Sequence, residues 1–273
     1  MPTAVRIRRV LLILLAGALL GAAALAAGLL SGEDRPAASF ATPATPAPPA
    51  AVEPPGPVLL VPGYGGSTAL LEPLAERLRG TGRDASVVAL PGNGTGDLRA
   101  SAAALDAAVS AALARTGAGS VDVVGYSAGG LVARLWAADG HADVARRVLT
   151  LGAPHHGTEL AQLGARLAPD RCPEGCRQML PDSELLAQLN ADETPDGVDW
   201  VSVWSAQDRV VTPPESARLE GGVNLTVQSV CAGRAVSHQQ LPGDPVVQGI
   251  VAAQLAAGEP VELTPDDCAR LGG

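Results

Sequence analysis

The alternation of apolar and polar positions predicts a sheet with helices from residue 57 onward. Six strands are predicted by short apolar runs at 57–63, 85–92, 120–126, 146–154, 199–205 and 223–230. Helical spacing of apolar residues predicts helices at 69–80, 98–117, 128–140 and 245–258. Strands that are apolar on both faces and alternate with helices are typical of parallel sheets covered on both sides. The sequence therefore predicts an α/β fold with a mostly parallel central sheet.

The first 30 residues carry the features of an export segment. An arginine-rich start at residues 6–9 precedes an uncharged stretch at 10–30, in which Ala24-Leu25-Ala26 offers a small-residue cleavage site. We expect residues 1–30 to be a signal peptide. A stretch of this length also reaches the length of a membrane-spanning helix, so an uncleaved signal anchor is the alternative.

A second segment, residues 31–56, separates the export segment from the predicted fold. It is rich in proline and alanine and lacks the apolar pattern that builds a core. Such composition predicts an extended, semi-rigid linker. The folded domain is therefore expected to span residues 57–273, without internal repeats.

Composition and charge narrow the class of protein. Apolar residues make up 47% of the chain but aromatic residues only 2%, so the core must consist of Val, Leu and Ala. The formal net charge of −9 argues against a nucleic-acid partner, because binding to phosphates needs a basic surface. No motif implies a metal or an organic cofactor.

The four cysteines predict disulfides. An even number of cysteines in an exported chain usually forms bridges, and four allow three pairings. Closeness in sequence favours Cys172 with Cys176, which leaves Cys231 to pair with Cys268 near the C-terminus. A zinc site is not favoured, because the histidines do not share the spacing of the cysteines.

One serine stands between two glycines at a strand-to-helix junction. The stretch Gly125-Tyr126-Ser127-Ala128-Gly129 follows the third predicted strand and precedes an apolar helix. A sharp turn there would present the hydroxyl of Ser127 above the sheet, and Gly125 and Gly129 would relieve the crowding around it. We interpret Ser127 as a candidate nucleophile.

A serine nucleophile needs a base, and the order of residues along the chain selects one of the four histidines. On this type of turn the acid and then the base follow the serine in sequence. His238, in a predicted loop before the last helix, is the only histidine late enough. His141 is expected to be a solvated loop residue, and His155 and His156 are expected to shape the loop after the fourth strand.

The candidate acid follows the fifth predicted strand. Asp208 lies just beyond that strand and 30 residues before His238. Asp199 precedes the strand and so belongs to the wrong edge of the sheet, whereas Asp182 and Asp196 lie in the preceding insert. Since chemistry in such sheets sits at the carboxyl ends of strands, Asp208 is the predicted acid.

The negative charge that develops on an attacked carbonyl oxygen requires donors. One predicted donor is the backbone N–H of Ala128, directly after the serine. The other is the N–H of Tyr64, in the glycine-rich loop "VPGYGGS" after the first strand. These glycines allow the backbone to approach a substrate closely.

Taken in order, four stretches resemble a small secreted bacterial lipase or esterase, of actinobacterial type, in the α/β-hydrolase superfamily. They are "VPGYGGS" (61–67), "VDVVGYSAGGLVAR" (121–134), "VLTLGAPHHGTELA" (148–161) and "VWSAQDRVVTP" (203–213), and "AVSHQQL" (235–241) follows them. The resemblance implies an α/β-hydrolase fold over about residues 57–257. The chain departs from the family in one place, since Pro62-Gly63 replaces the usual His-Gly before the oxyanion loop.

The resemblance implies roles and a substrate class. Ser127, Asp208 and His238 would form a catalytic triad that hydrolyses carboxylic esters or lipids through an acyl-enzyme, with the protein acting outside the cell. An acyltransferase, amidase or peptidase on the same fold is an alternative, and so is an exported protein of this fold without activity. Contact with a membrane is expected only through residues 10–30, if they are not cleaved.

The insert at 158–197 admits two interpretations. It has the size of a small cap over the site and contains Cys172, Cys176 and the short predicted helix "PDSELLAQLN". It is equally compatible with an ordinary crossover that contains one helix.

Overall fold

A single parallel sheet organises the part of the chain that the structure, a computed structural model, describes, residues 55–272. Its strands are Val58–Val61 (β1), Ala85–Val87 (β2), Val121–Tyr126 (β3), Ala145–Leu151 (β4), Asp199–Trp204 (β5) and Val223–Thr226 (β6). They run in the order β2-β1-β3-β4-β5-β6, and every neighbouring pair is parallel. The predicted fold class is thereby confirmed. The predicted export segment and nearly all of the predicted linker lie outside the described residues.

Nine α-helices accompany the sheet within residues 55–272. They are Glu72–Gly80 (α1), Leu98–Thr116 (α2), Ala128–Ala138 (α3), Glu159–Leu167 (α4), Glu174–Gln178 (α5), Glu184–Leu189 (α6), Val227–Val230 (α7), Pro245–Gln254 (α8) and Cys268–Gly272 (α9). Local signals explain their starts. The Asp97 carboxylate accepts from Arg99 N–H at the start of α2, and the Asp244 carboxylate accepts from two amides of α8. Gly117, with φ 70°, ends α2.

The sheet separates two apolar layers. Alternate residues of β1 face opposite sides: Leu60 packs in the layer that contains α1 and α8, and Leu59 packs in the layer that contains α2, α3 and α6. Val, Leu and Ala dominate both layers, as the composition requires. The all-apolar sequence of β1 follows from this burial on both faces.

Several boundaries predicted from the sequence are wrong, and local interactions explain the differences. The predicted strand 223–230 ends at Thr226, because the Thr226 hydroxyl caps Ser229 N–H and starts α7. The predicted strand 85–92 stops at Val87, and an irregular segment leads from there to the turn that Gly94 N–H closes by donating to Pro91 O. The predicted loop around His238 is a 3-10 helix, His238–Gly243, that begins with a capping box between Ser237 and Gln240.

The insert contains three helices, not one. Besides the predicted α6, whose start is capped by the Ser183 hydroxyl, it holds α4 and α5. It is fastened to the rest of the fold by side-chain hydrogen bonds: Gln178 accepts from Leu98 N–H and donates to Asp97 at the start of α2. The alternative of a crossover with one helix is therefore wrong, and a role as a cap stays a prediction.

Both predicted disulfides are present. Cys172 is bonded to Cys176 within the insert, and Cys231 is bonded to Cys268, which ties α9 to the end of α7. Among the helices of residues 55–272, none combines the length and the hydropathy that crossing a membrane requires.

Candidate active site

The turn that carries Ser127 has an unusual backbone conformation. Ser127 has φ 53° and ψ −127°, and it is the one non-glycine residue with positive φ within residues 55–272. Such a conformation is costly for a residue with a side chain and persists only where the surroundings enforce it. Here Ser127 N–H donates to Leu151 O (2.8 Å) and Ser127 O accepts from Gly130 N–H (2.9 Å). The strained backbone conformation therefore occurs at the serine that was predicted to be the nucleophile.

The two glycines of the motif are required by close approach of the backbone. A Cβ atom at Gly125 would lie 2.5 Å from Gly129 O, and a Cβ atom at Gly129 would lie 2.6 Å from Pro62 O. Both distances are far below those that Cβ atoms tolerate. The small residues thus let α3 start directly against β1 and β3, as predicted.

Ser127, His238 and Asp208 come together at the carboxyl edge of the sheet. Ser127 Oγ lies 3.0 Å from His238 Nε2, and His238 Nδ1 lies 2.6 Å from Asp208 Oδ2. The three side chains come from the loops after β3, β5 and β6, and all three residues are buried. The three residues that were selected from the sequence thus form one continuous chain of hydrogen bonds.

The direction of the protons in this chain follows from the acid. The second oxygen of Asp208 accepts from the N–H groups of Val210 (2.8 Å) and Val211 (3.0 Å), so the carboxylate acts purely as an acceptor. His238 Nδ1 therefore carries the proton that it donates to Asp208. Its Nε2 is left without a proton and accepts the hydroxyl of Ser127, which is the arrangement that a general base requires.

Tyr126 supports the histidine. Its ring lies 5.1 Å from the imidazole, and its hydroxyl donates to His238 O (3.2 Å). Burial, with a smaller effect of the charge of Asp208, raises the pKa of the Tyr126 hydroxyl, so it stays a donor. The sequence analysis did not assign this residue a role, although it lies within the motif.

Gly152 was also missed. It has φ 55°, and a Cβ atom there would lie 3.2 Å from Asp208 Oδ2 and 3.3 Å from His238 Nδ1. Its neighbour Leu151 pairs with Tyr126 across β3 and β4, which brings Gly152 beside Ser127. The predicted fourth strand, 146–154, includes Gly152, whereas β4 ends at Leu151 and leaves Gly152 at the carboxyl edge of the sheet.

The loop after β1 passes next to the serine, as predicted. A Cβ atom at Gly63 would lie 2.8 Å from Ser127 Cβ. The N–H of the next residue, Tyr64, donates to no other group within residues 55–272. Ala128 is the first residue of α3, so its N–H has no partner within the helix. Both amides are thus free to donate to a ligand beside Ser127.

The other three histidines have structural surroundings. His141 lies in a loop, as expected, but it is only partly exposed, because it stacks on Trp136 (5.0 Å between ring centres) and lies 2.8 Å from the Asp106 carboxylate. His156 Nε2 lies 2.8 Å from Glu193 Oε1. His155 is fully buried next to Thr150 and does not contact the serine. The expected loop-shaping role of His155 and His156 agrees with these contacts.

Within residues 55–272, no group of three or more His, Cys, Asp or Glu side chains has the arrangement of a metal site.

Comparisons with known proteins agree with this architecture. A family model described as the alpha/beta hydrolase fold matches residues 56–175. Lipase B of Aspergillus fumigatus superposes with a TM-score of 0.66 at 19% identity, over 80% of this chain and 56% of the Aspergillus chain. The mature form of a Bacillus licheniformis lipase superposes with a TM-score of 0.61 at 18% identity, over 76% of this chain and 94% of the Bacillus chain.

This chain therefore spans little more than half of the length of the Aspergillus lipase but nearly all of the Bacillus lipase. A comparison with curated protein sequences found no match. At these identities the solved structures are informative about architecture alone. Together with the parallel sheet, the family match leads to one conclusion: this chain has the α/β-hydrolase fold.

Proposed function

We propose that the protein is an exported serine hydrolase that cleaves carboxylic esters, with lipids as its substrate class. The observation that carries the proposal is the continuous hydrogen-bonded chain from Ser127 through His238 to Asp208. The strained turn at Ser127 and the two free amides beside it supply the remaining parts that acyl transfer needs.

In the first half-reaction, Ser127 Oγ attacks the carbonyl carbon of the ester while His238 Nε2 takes the hydroxyl proton. The N–H groups of Tyr64 and Ala128 donate to the oxygen that becomes negative. The tetrahedral intermediate then collapses, the bond from carbon to the alcohol oxygen breaks, and His238 gives its proton to that oxygen. Asp208 stabilises the imidazolium that exists between the two proton transfers.

In the second half-reaction, a water molecule repeats these steps on the acyl-enzyme. His238 takes a proton from water as its oxygen attacks the acyl carbon, and the same amides receive the second oxyanion. Collapse breaks the bond to Ser127 Oγ, which regains its proton from His238. The carboxylic acid leaves and the enzyme returns to its starting state.

Helix α4 favours lipids over small soluble esters. Leu160, Leu163 and Leu167, which we call the leucine ridge, are 49%, 52% and 76% exposed and recur at the spacing of one helix face. Thr158, which caps α4, donates to Val210 O (2.6 Å) on the loop that carries Asp208. An exposed apolar stripe so close to the candidate site suits contact with an aggregated lipid surface.

The proposed location outside the cell rests on two features. The two disulfides are typical of proteins that fold in an oxidising compartment. The sequence of residues 1–30 predicts an export signal. Mass spectrometry of the protein that an expressing bacterium secretes would test this location. If the signal peptide is cleaved after Ala26, the secreted protein begins at Ala27.

The experiment that tests the proposed activity is hydrolysis of nitrophenyl esters of increasing acyl length. We expect activity that falls by at least about 10⁴-fold in Ser127→Ala, because the nucleophile is lost. Ser110→Ala is the matched control: it makes the same change on the exposed surface of α2. Lack of hydrolysis of any ester by the folded wild type would contradict the proposal and favour an amide substrate, another acceptor or an inactive scaffold.

A further inference from the structure

A cleft with mixed polar and apolar walls lies directly beside the candidate base. It has a volume of about 710 Å³ and runs between the loop that follows Asp208 and the segment around His238. The lining side chains that carry the inference are Gln207, Arg209, His238, Gln239 and Gln240. None of the lining residues, all of which belong to the described part of the chain, is acidic.

The chemistry proposed above determines which half of an ester faces this cleft. His238 must give its proton to the oxygen of the departing alcohol, so that oxygen has to lie next to His238. The alcohol half of the substrate therefore leaves the reacting centre on the side of the imidazole. The cleft borders His238 and can therefore receive it.

Arg209 is the charge that this half would meet. Its side chain forms no ion pair and no hydrogen bond within residues 55–272, unlike Arg234, which precedes the His238 segment and lies 2.7 Å from Asp244. The neighbouring carboxylate of Asp208 is buried and already accepts from His238 and two amides. Arg209 is thus available to a ligand, although the protein as a whole has a net charge of −9.

The remaining polar groups also suit an anion. Gln207 and Gln239 are exposed and their side-chain amides have no partner among residues 55–272, so each offers N–H donors. Gln240 uses its oxygen to accept from Ser237, which leaves its NH₂ group as the available end. An arginine with several neutral donors and no competing carboxylate matches the needs of a phosphate or carboxylate group.

We infer that Arg209 is a specificity-determining residue and that the cleft selects esters whose alcohol half carries an anionic group. The inference rests on the proposed ester hydrolysis and specifies its substrate class. It applies to phosphate-bearing and carboxylate-bearing alcohols, with phosphate favoured because it offers more acceptor oxygens to the same set of donors.

The test uses soluble butyryl esters that differ only in the alcohol: glycerol 3-phosphate, glycolate, glycerol and choline. Release of butyrate by the full protein is measured at low and high salt. We expect kcat/KM for the two anionic esters to exceed that for the glycerol ester by about five- to tenfold at low salt. The choline ester should be the poorest substrate, and high salt should shrink the differences.

Two variants assign the selectivity to Arg209. Arg209→Gln should remove the preference, so that kcat/KM for the anionic esters equals that for the glycerol ester in the same variant, and Arg209→Glu should reverse the preference. Arg115→Gln is the matched control, because it changes the net charge equally at the far end of α2, where Arg115 pairs with Asp84.

The outcomes separate this inference from the proposed function. Hydrolysis of all four esters at similar rates, or a preference for anions that persists in Arg209→Gln, would overturn the inference and leave the ester hydrolase standing. If the wild type hydrolyses none of the four esters, the inference fails, and the nitrophenyl ester series decides separately whether the ester hydrolase stands. A preference for anions that disappears only in the Arg209 variants supports both.

Discussion

A single carboxylate, that of Asp208, joins the candidate base to the backbone around it. Its Oδ2 accepts from His238 Nδ1, and its Oδ1 accepts from the amides of Val210 and Val211. All of these partners are donors, so both oxygens must remain acceptors. The Asp208 carboxylate is thus held in one orientation by its three donors, and it in turn fixes the orientation of the His238 imidazole.

Replacing Asp208 with Asn should uncouple the base while keeping the shape of the site. An amide has one oxygen, so its NH₂ group would face either His238 or the two backbone donors. The two backbone donors keep the oxygen, so the NH₂ group donates to His238 Nδ1 and the ring proton moves to Nε2, which can then no longer accept the Ser127 hydroxyl. We expect kcat/KM for ester hydrolysis to fall by about 10³- to 10⁴-fold. Asp182→Asn, an exposed position in the insert, is the control. Near-normal rates in Asp208→Asn would mean that another residue orients His238.

Gly152 allows a second test at the same scale. A methyl group at this position would contact the Asp208–His238 pair and would require a residue with a side chain at φ 55°. We expect Gly152→Ala to lower kcat by at least about tenfold, since small displacements of reacting groups are costly. Comparison of kcat and KM with soluble nitrophenyl esters checks this. An unchanged kcat would show that the pair tolerates the displacement.

Single residues of the site were predictable to different degrees. Ser127 was predictable because its neighbours in sequence create the turn, and His238 because its position in the chain left no competitor. Gly152 and Tyr126 were missed because their contacts join β4 and β3 to loops more than 50 residues away. Arg209 has no signal in sequence at all, since the cleft exists only when two distant loops meet.

At the scale of elements, a buried polar chain connects β4, β5 and the segment after it. Ala217 O can only accept, so Ser202 donates to it and Thr150 donates to Ser202. His155 Nε2 must then donate to Thr150 Oγ1 (3.0 Å), and His155 Nδ1 is left buried without a partner among residues 55–272. The imidazole is thus held neutral.

This neutral histidine should make the fold sensitive to acid. Burial, with smaller effects of Arg134 and His156, holds the pKa of His155 well below its ordinary value. Below about pH 6.5 the unfolded chain binds a proton there that the folded chain does not. The free energy of unfolding should therefore fall with decreasing pH, by up to about 1.4 kcal/mol per pH unit from this group.

Urea unfolding between pH 7.5 and 5 measures this effect. His155→Gln keeps an N–H donor near Thr150 but cannot take up the proton, so its stability should decline less steeply as the pH falls. The same pH slope in His155→Gln and in the wild type would contradict the assignment. Other titrating groups contribute equally to both proteins and cancel in the comparison.

The leucine ridge on α4 supports a further prediction for an element. Changing Leu160, Leu163 and Leu167 together to serine should lower the rate on emulsified long-chain triacylglycerol by about tenfold or more, because apolar contact with the lipid surface is lost. The rate on a soluble short ester should stay the same. Val261→Ser, at another exposed apolar position, is the control. Equal losses on both substrates would instead indicate damage to the site.

Helices and strands were predicted well where the apolar periodicity extended over many residues. Their predicted boundaries were wrong where a capping residue started a different element. The long helix α2 and the strand β3 lie within one residue of the predicted ranges. The strand predicted at 223–230 was cut short by a threonine cap, and α4 was not predicted although its leucines recur at helical spacing. That spacing indicates a helix, but it does not reveal that the leucine ridge is exposed rather than buried.

At the scale of the whole molecule, the two disulfides constrain loops of very different length. Cys231 and Cys268 are 37 residues apart, whereas Cys172 and Cys176 are 4 apart. Cross-linking a longer loop removes more conformational freedom from the unfolded chain. The Cys231–Cys268 bridge also anchors α9, which contacts α8.

The longer bridge should therefore contribute more stability. We expect the double variant Cys231→Ser/Cys268→Ser to lower the free energy of unfolding by about 3–4 kcal/mol, and Cys172→Ser/Cys176→Ser by about 2 kcal/mol. Denaturant unfolding of the two variants beside the wild type measures both values. A larger loss for the short bridge would mean that the insert, rather than the C-terminus, limits stability.

The central claim is that Ser127 is a nucleophile activated by His238 and Asp208. The most direct measurement is covalent labelling with an activated fluorophosphonate, followed by peptide mass mapping. The account predicts one adduct per chain, on Ser127, and labelling at least about 10³-fold slower in His238→Ala, because the base is absent. An unlabelled Ser127 in the folded wild type, or an adduct on a different serine, would contradict it.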